Sequence, residues 1–93
     1  PRHLDRAAIQ DLLAAVKEAM SNEDGDGLRR AAHSLKGSAQ VIGGRATAAA
    51  ALKLEQLGRN EDFDQAEPAF RLLQVSLAEL EERLLAAQDA GTA

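Results

Sequence analysis

The sequence predicts an all-α protein, an antiparallel four-helix bundle with up-down-up-down topology. Four segments carry apolar residues at helical spacing, and none shows the polar–apolar alternation that is typical of a strand. Only short breaks separate the segments, which favours antiparallel packing of neighbours. At 93 residues the chain can form one hydrophobic core but not two, so we expect a single domain over residues 1–93.

The first predicted helix covers residues 4–20, with Asp5 as a candidate N-cap. The stretch SNEDGDG then breaks the helical pattern with two glycines and several turn-forming residues. The second predicted helix covers residues 24–42, capped by Asp24, with Asp26 placing negative charge near its N-terminus. Its apolar residues recur at spacings of four and three and form one face: Leu28, Ala32, Leu35, Ala39 and Ile42.

The third predicted helix covers residues 45–59, with Ala50, Leu54 and Leu57 facing inward and Gly58 as its C-terminal stop. The fourth covers residues 64–88. Because proline disrupts a helix interior, we expect Pro68 either in the first turn or two or at a kink after a short lead-in. We expect residues 89–93 to be frayed. The apolar face of this helix follows a three-four repeat through Phe63, Phe70, Leu73, Leu77, Leu80 and Leu84.

Composition excludes several classes of function. The chain has no cysteine, which excludes disulfides, zinc-thiolate sites and thiol nucleophiles and fits a reducing, cytoplasmic location. We find no signal peptide and no apolar run of membrane-spanning length. The net charge of −4 argues against nucleic acid as a partner. Residues 28–45 nevertheless contain four cations and no acid, a basic island of Arg29, Arg30, Lys36 and Arg45. It is either an ordinary solvated face or a docking surface.

A polar stripe lies opposite the apolar face of the second helix. His33, Lys36, Gly37 and Gln40 are spaced three, one and three residues apart, so they share one side of the helix. A neutral imidazole is a competent nucleophile, and a neighbouring ammonium can offset the charge of a phosphoryl group. Gly37 costs about 1 kcal/mol of helix stability relative to alanine. It either gives a partner access to His33 or lets a neighbouring helix approach.

The stretch AAHSLKGSAQVIGG, residues 31–44, resembles the signature of histidine-containing phosphotransfer (HPt) domains. The matching positions are His33, Leu35, Lys36, Gly37, Ser38 and Gly43. The resemblance continues into LEQLGR, residues 54–59. It implies that His33 accepts and donates the phosphoryl group and that Lys36 offsets its charge. It also implies that Gly37 leaves room for the partner, that Ser38 hydrogen-bonds near the site and that Gly43 makes the tight turn.

The resemblance also indicates which side chain orients His33. Glu55 stands where relay members often have glutamine and where chemotaxis-kinase phosphotransfer domains have glutamate, and a carboxylate there would hold the second imidazole nitrogen. Gln56 or Lys53 could serve instead, and Glu55 could be a solvated charge. Arg59 aligns with a basic position of some relay members. The expected partner-binding residues are Arg29, Arg30, Gln40, Gly43, Gln56 and Arg59.

The implied function is a phosphorelay carrier that takes a phosphoryl group from a receiver-domain aspartate onto His33 and passes it to another receiver. We expect no enzyme activity, no cofactor and no metal of its own, because the receiver holds the Mg²⁺ and nothing resembles a nucleotide-binding loop. We expect a monomer without membrane contact. Because the sequence begins without methionine, we expect it to be part of a hybrid sensor histidine kinase. The alternative is a degenerate HPt-like bundle that binds proteins without being phosphorylated.

Two further features have simpler interpretations. The stretch NEDGDGLRRAAH imitates a calcium loop, but its twelfth position is His33 where a bidentate glutamate is needed. The only other histidine is His3, near the terminus, so a histidine-rich metal site is not expected. Outward-facing Ala31 and Val41 are candidate apolar contacts for a transiently bound partner.

Overall fold

The computed structural model describes the backbone of residues 6–92 and the side chains of residues 7–87. Residues 6–92 form four α-helices and no strand: α1 (Arg6–Ser21), α2 (Gly25–Val41), α3 (Arg45–Arg59) and α4 (Ala66–Thr92). Each helix packs against the next, and the α2–α3 pair makes the most extensive contact. The short loops at 22–24, 42–44 and 60–65 return the chain antiparallel. The predicted all-α bundle is confirmed.

The bounds differ from expectation mainly in α4. It begins at Ala66 rather than at residue 64, because residues 64 and 65 form a turn. Pro68 is its third residue, where no helical N–H donor is needed, as the sequence predicts. The helix continues through Thr92, so the prediction that residues 89–92 are frayed is wrong. The alanine-rich sequence at this end favours a helix. His3 and the predicted start of the first helix at residues 4 and 5, including the Asp5 cap, lie outside the described residues.

The core is aliphatic apart from Phe70 and follows the predicted faces. On α2, Leu28 to Ala39 of the apolar face are buried, and Ile42 is half-buried where the helix ends. On α3, Leu54 and Leu57 are buried, while Ala51 rather than Ala50 is completely enclosed. Ala31, expected to face outward, is buried because α1 packs on that side of α2. Val41 does face outward, with 82% of its surface exposed.

Three helices end with the same backbone geometry. The residue after each C-cap has a left-handed φ: 50° at Glu23, 77° at Gly43 and 54° at Glu61. The following N–H then reaches back to a carbonyl of the last helical turn, as in a Schellman motif, at 2.8 to 2.9 Å. Gly43 therefore lies in the turn between α2 and α3. The expectation that Gly58 stops α3 is wrong, because Glu61 takes the left-handed position and Gly58 is buried within the helix.

Candidate functional site

Asp24 fixes the start of α2, the helix that carries the candidate site. Asp24 has an extended backbone, and its carboxylate accepts a hydrogen bond from the Gly27 N–H at 3.0 Å, which confirms the predicted N-cap. Asp26 follows in the first turn. The acidic stretch that imitates a calcium loop is thus the start of a helix, and its two aspartates have partners within that helix.

His33 projects from the middle of α2, away from the core. Its side chain is 64% exposed, because the buried face of α2 lies on the opposite side of the helix. Gly37 follows one turn later, and a Cβ atom at that position would have no neighbour within 4 Å. Gln40 is exposed another turn along. The polar stripe of α2 therefore leaves the imidazole accessible to another molecule.

Glu55 of α3 holds one nitrogen of that imidazole. Its Oε2 lies 3.3 Å from His33 Nδ1, although only 7% of the Glu55 side chain is exposed. An ionised carboxylate can only accept hydrogen bonds, so the proton of the neutral ring belongs on Nδ1. Nε2 then keeps its lone pair on the opposite edge of an exposed ring. Of the three candidates for orienting His33, Glu55 is the residue in contact; Gln56 and Lys53 are exposed on α3.

Three cationic or basic groups surround the Glu55 carboxylate. The Lys36 Nζ atom lies 2.9 Å from Oε1, and an Arg59 guanidinium nitrogen lies 3.4 Å from Oε2, beside His33. The ammonium is off the ideal hydrogen-bonding direction of Oε1, but opposite charges at this separation attract strongly. Lys36 is the largest cause that lowers the pKa of Glu55 below its usual value, with His33 also lowering it and burial opposing both.

This arrangement changes the predicted role of Lys36 in the unphosphorylated protein. The resemblance implied a lysine beside the phosphoryl group, but the side chain is directed to Glu55 and is only 20% exposed. Arg59 reaches the same carboxylate from four residues further along α3. Ser38 is half-buried, and five residues after His33 it lies about 140° around the helix from it. The stripe and Ser38 therefore face different directions.

The basic island is partly neutralised by an acid just outside it. The Asp26 carboxylate lies 2.8 Å from Arg29 and 3.1 Å from Arg30, and these pairs are exposed to solvent. The hydrogen bond from Arg29, followed by the charge of Arg30, lowers the pKa of Asp26. The sequence analysis missed this contact because the island was defined from residue 28. Spacings of three and four residues on one helix were the available signal.

Apolar surface lies on both sides of the polar stripe. A shallow groove of about 390 Å³ runs between α1 and α2. Its apolar part is formed by Leu12, Ala15 and Ala31, and its polar part includes Glu18, Asp24, Arg30 and Ser34. On α3, Leu52 is 40% exposed and lies one turn before Glu55. Together with exposed Val41, these residues give the site an apolar rim around a charged centre, a composition suited to a transient protein partner.

Comparison with known proteins identifies the chain by family. A family model described as the Hpt domain matches residues 6–90, almost the whole chain. No curated protein and no solved structure matches the chain. Among residues 6–92, none of the helices has an apolar stretch of the length and hydropathy that a membrane crossing requires.

Proposed function

The chain belongs to the Hpt domain family, and we propose that it is a phosphorelay carrier whose phosphoacceptor is His33. It would receive a phosphoryl group from the aspartate of one receiver domain and donate it to another. One observation supports the choice of His33. Its imidazole is exposed to solvent, while its Nδ1 atom lies 3.3 Å from the buried Glu55 carboxylate. Hpt domains are phosphotransfer carriers without an ATP site of their own, so the phosphoryl group comes from a partner.

In the proposed transfer step, one bond forms at His33 and one bond breaks at the donor. The Nε2 lone pair attacks phosphorus in line, the N–P bond forms, the acyl-phosphate O–P bond breaks and the receiver aspartate leaves as a carboxylate. The ring keeps its Nδ1 proton and becomes positively charged as Nε2 gives up its electron pair. Glu55 stabilises that charge, because a buried carboxylate at hydrogen-bonding distance interacts more strongly with an imidazolium than with a neutral ring. The reverse step passes the phosphoryl group on.

Lys36 and Arg59 are the proposed counter-charges for the phosphoryl group. Both have long, flexible side chains, and both now contact the Glu55 carboxylate that also holds His33. The new dianion competes with Glu55 for these cations once His33 is modified. Gly37, with no atom within 4 Å of a Cβ position, leaves room for the receiver, whose own Mg²⁺ accompanies its aspartate.

The proposed docking surface is the polar stripe with its apolar rim. Arg29, Arg30 and Arg59 supply positive charge, Gln40 and Gln56 supply exposed amides, and Gly43 shapes the turn at the end of α2. The open surface at Gly37 lies between the groove formed by α1 and α2 and the exposed Leu52 of α3. A rim of this kind suits brief association with successive receivers. We propose that the carrier acts as a monomer, and that it does so in the cytoplasm.

Incubation with a panel of phosphorylated receiver domains and Mg²⁺ tests the assignment. We expect acid-labile phosphate on the wild-type chain and on His3→Gln, the matched control that removes the other histidine. We expect none on His33→Gln, with helicity by circular dichroism unchanged, because the ring lies outside the core. Labelling of His33→Gln would move the site elsewhere. Receiver binding without labelling of the wild type would indicate a degenerate interaction module instead.

A further inference from the structure

Gly58 lies in the last turn of α3, where α3 touches the first turns of α2 through backbone atoms. A Cβ atom at Gly58 would lie 2.7 Å from the backbone nitrogen of Arg29 and 2.7 Å from the carbonyl oxygen of Gly25. From the other helix, a Cβ atom at Gly25 would lie 2.6 Å from the Gly58 oxygen. These neighbours are backbone atoms, so no change of rotamer can relieve the contact. The helices can come this close only because both residues are glycine.

This backbone contact, the Gly25–Gly58 crossing, is about one turn from the candidate site. Glu55 precedes Gly58 by three residues on α3, and His33 follows Arg29 by four residues on α2. Helices transmit a rigid displacement over a few residues with little loss. Any increase in helix separation at Gly58 is therefore carried to the pair formed by Glu55 and His33.

The hydrogen bond between Glu55 and His33 tolerates little further separation of the two residues. The Nδ1–Oε2 distance of 3.3 Å is already slightly longer than the usual range for an N–H···O hydrogen bond. A Cβ atom inserted at the crossing must move backbone atoms from about 2.7 Å to a normal contact distance. A shift of several tenths of an ångström in the same direction at the site would break the hydrogen bond.

We infer that Gly58 is a positioning residue, which holds α3 close enough to α2 for Glu55 to fix the Nδ1–H tautomer of His33. The effect of Gly58 on helix separation and on the His33 tautomer does not depend on what the site does. Its consequence for phosphoryl transfer rests on the proposed function. Gly58 touches neither the imidazole nor any reacting group. It acts only by setting the separation of two helices.

The test reads the tautomer of His33 by nitrogen NMR, in a His3→Gln background that leaves one histidine in the spectrum. We expect the neutral ring of the parent protein to carry its proton on Nδ1. In Gly58→Ala the Nδ1–H fraction should fall, and Gly25→Ala should cause the same change from the opposite helix. An osmolyte such as trimethylamine N-oxide, added to every sample, keeps destabilised variants folded.

Gly44→Ala is the control that adds the same methyl group at the opposite end of α3. Its Cβ atom would lie 2.6 Å from a Leu80 methyl group, the far end of a side chain that can rotate away, whereas the neighbours at Gly58 are backbone atoms. The inference requires that Gly44→Ala keep the parent tautomer. A folded Gly58→Ala with the parent tautomer overturns it, and so does an equal tautomer change in Gly44→Ala.

Transfer kinetics supply a second readout. At equal folded fraction, Gly58→Ala should accept phosphate from a receiver about ten- to a hundredfold more slowly, as expected for a misplaced catalytic constellation. Gly44→Ala should retain the parent rate. If no variant and no parent protein is labelled, the proposed function fails, but the tautomer comparison still decides the role of Gly58.

Discussion

Two parts of α2 use glycine for opposite purposes. At its first turn, Gly25 lies against Gly58 of α3, where an added Cβ atom would meet a carbonyl oxygen at 2.6 Å. Three turns later, a Cβ atom at Gly37 would have no neighbour within 4 Å beyond the adjacent backbone of its own helix. The first glycine lets two helices of this chain touch, and the second leaves open space beside His33, where we propose that a receiver approaches. The crossing therefore stabilises the bundle, while the open surface exposes the site.

The comparison also explains how a covered carboxylate meets an exposed histidine. The crossing brings α3 close to α2, and Glu55 lies about one turn from it, with its carboxylate in contact with His33. His33 lies on the solvent-facing side of α2. One helix pair thus places a shielded carboxylate 3.3 Å from an accessible imidazole.

The largest expected effect on stability comes from filling the crossing. Gly25→Ala should reduce the free energy of unfolding by about 2 kcal/mol, because overpacking against backbone cannot be relieved by a side-chain rotation. Urea denaturation followed by circular dichroism measures the change. Gly37→Ala is the matched control and should raise stability by about 1 kcal/mol, since alanine is the better helix former. Equal responses at the two positions would contradict the distinction between them.

Acid sensitivity should follow from the Glu55 cluster. Lys36 is the main cause of the lowered pKa of Glu55, so the folded state binds the proton more weakly than the unfolded state. This contribution to stability is complete above the ordinary pKa of 4.5 and is lost as the pH falls through the lower folded value. Thermal unfolding between about pH 5.5 and 3 should therefore show the wild type losing stability relative to Glu55→Gln.

A second variant separates the ion pair from the carboxylate itself. Lys36→Gln removes the main cause of the lowered pKa while keeping Glu55, so its acid-dependent loss should be smaller than that of the wild type. Wild type, Glu55→Gln and Lys36→Gln could instead lose stability in parallel as the pH falls. That result would mean that the Glu55 carboxylate is solvated in the folded protein, which would contradict its low exposure.

A bulky side chain on the open surface should affect transfer more than stability. Gly37→Gln should leave the free energy of unfolding unchanged or raise it by roughly 0.5 kcal/mol, because glutamine has the better helix propensity. It should slow phosphoryl transfer by occupying the space next to His33. Single-turnover transfer from a phosphorylated receiver and urea denaturation report the two quantities. A large loss of stability would show that Gly37 packs like Gly25.

The smallest effect is expected from the exposed ion pairs of α2. Asp26→Asn frees Arg29 and Arg30 from an internal counter-ion, and ion pairs that are exposed to solvent contribute little to stability because water and salt screen them. Receiver association should accelerate by no more than about fivefold and become more sensitive to salt. Glu67→Gln, which removes a carboxylate from the first turn of α4, is the charge-matched control. No change in the salt dependence would exclude these arginines from docking.

Periodicity predicts the part of this molecule that depends on single helices. The apolar face of α2, the four-helix fold and the polar stripe with His33 follow from residue spacing alone. Glu55 needed the family resemblance, because its distance to His33 depends on how α3 is placed beside α2. The same limit explains the error at Gly58, since a glycine near a helix end resembles a stop signal unless the neighbouring helix is known.

Side-chain direction was the other missing element. Lys36 lies on the predicted stripe, yet its ammonium bends toward a covered carboxylate of the next helix rather than standing beside the imidazole. Helical spacing gives the side of a helix on which a lysine begins but not where four flexible bonds end. The pairing of Asp26 with Arg29 and Arg30 was available from spacing, because all three lie on one helix.

The measurement that tests the central claim most directly is phosphorus and nitrogen NMR of the phosphorylated, isotope-labelled chain. A carboxylate that holds Nδ1 leaves only one ring nitrogen able to attack. The account predicts a single phosphohistidine signal at Nε2 of His33, with the Nδ1 proton retained toward Glu55. Phosphate on Nδ1 of His33, or on any other side chain, would contradict it.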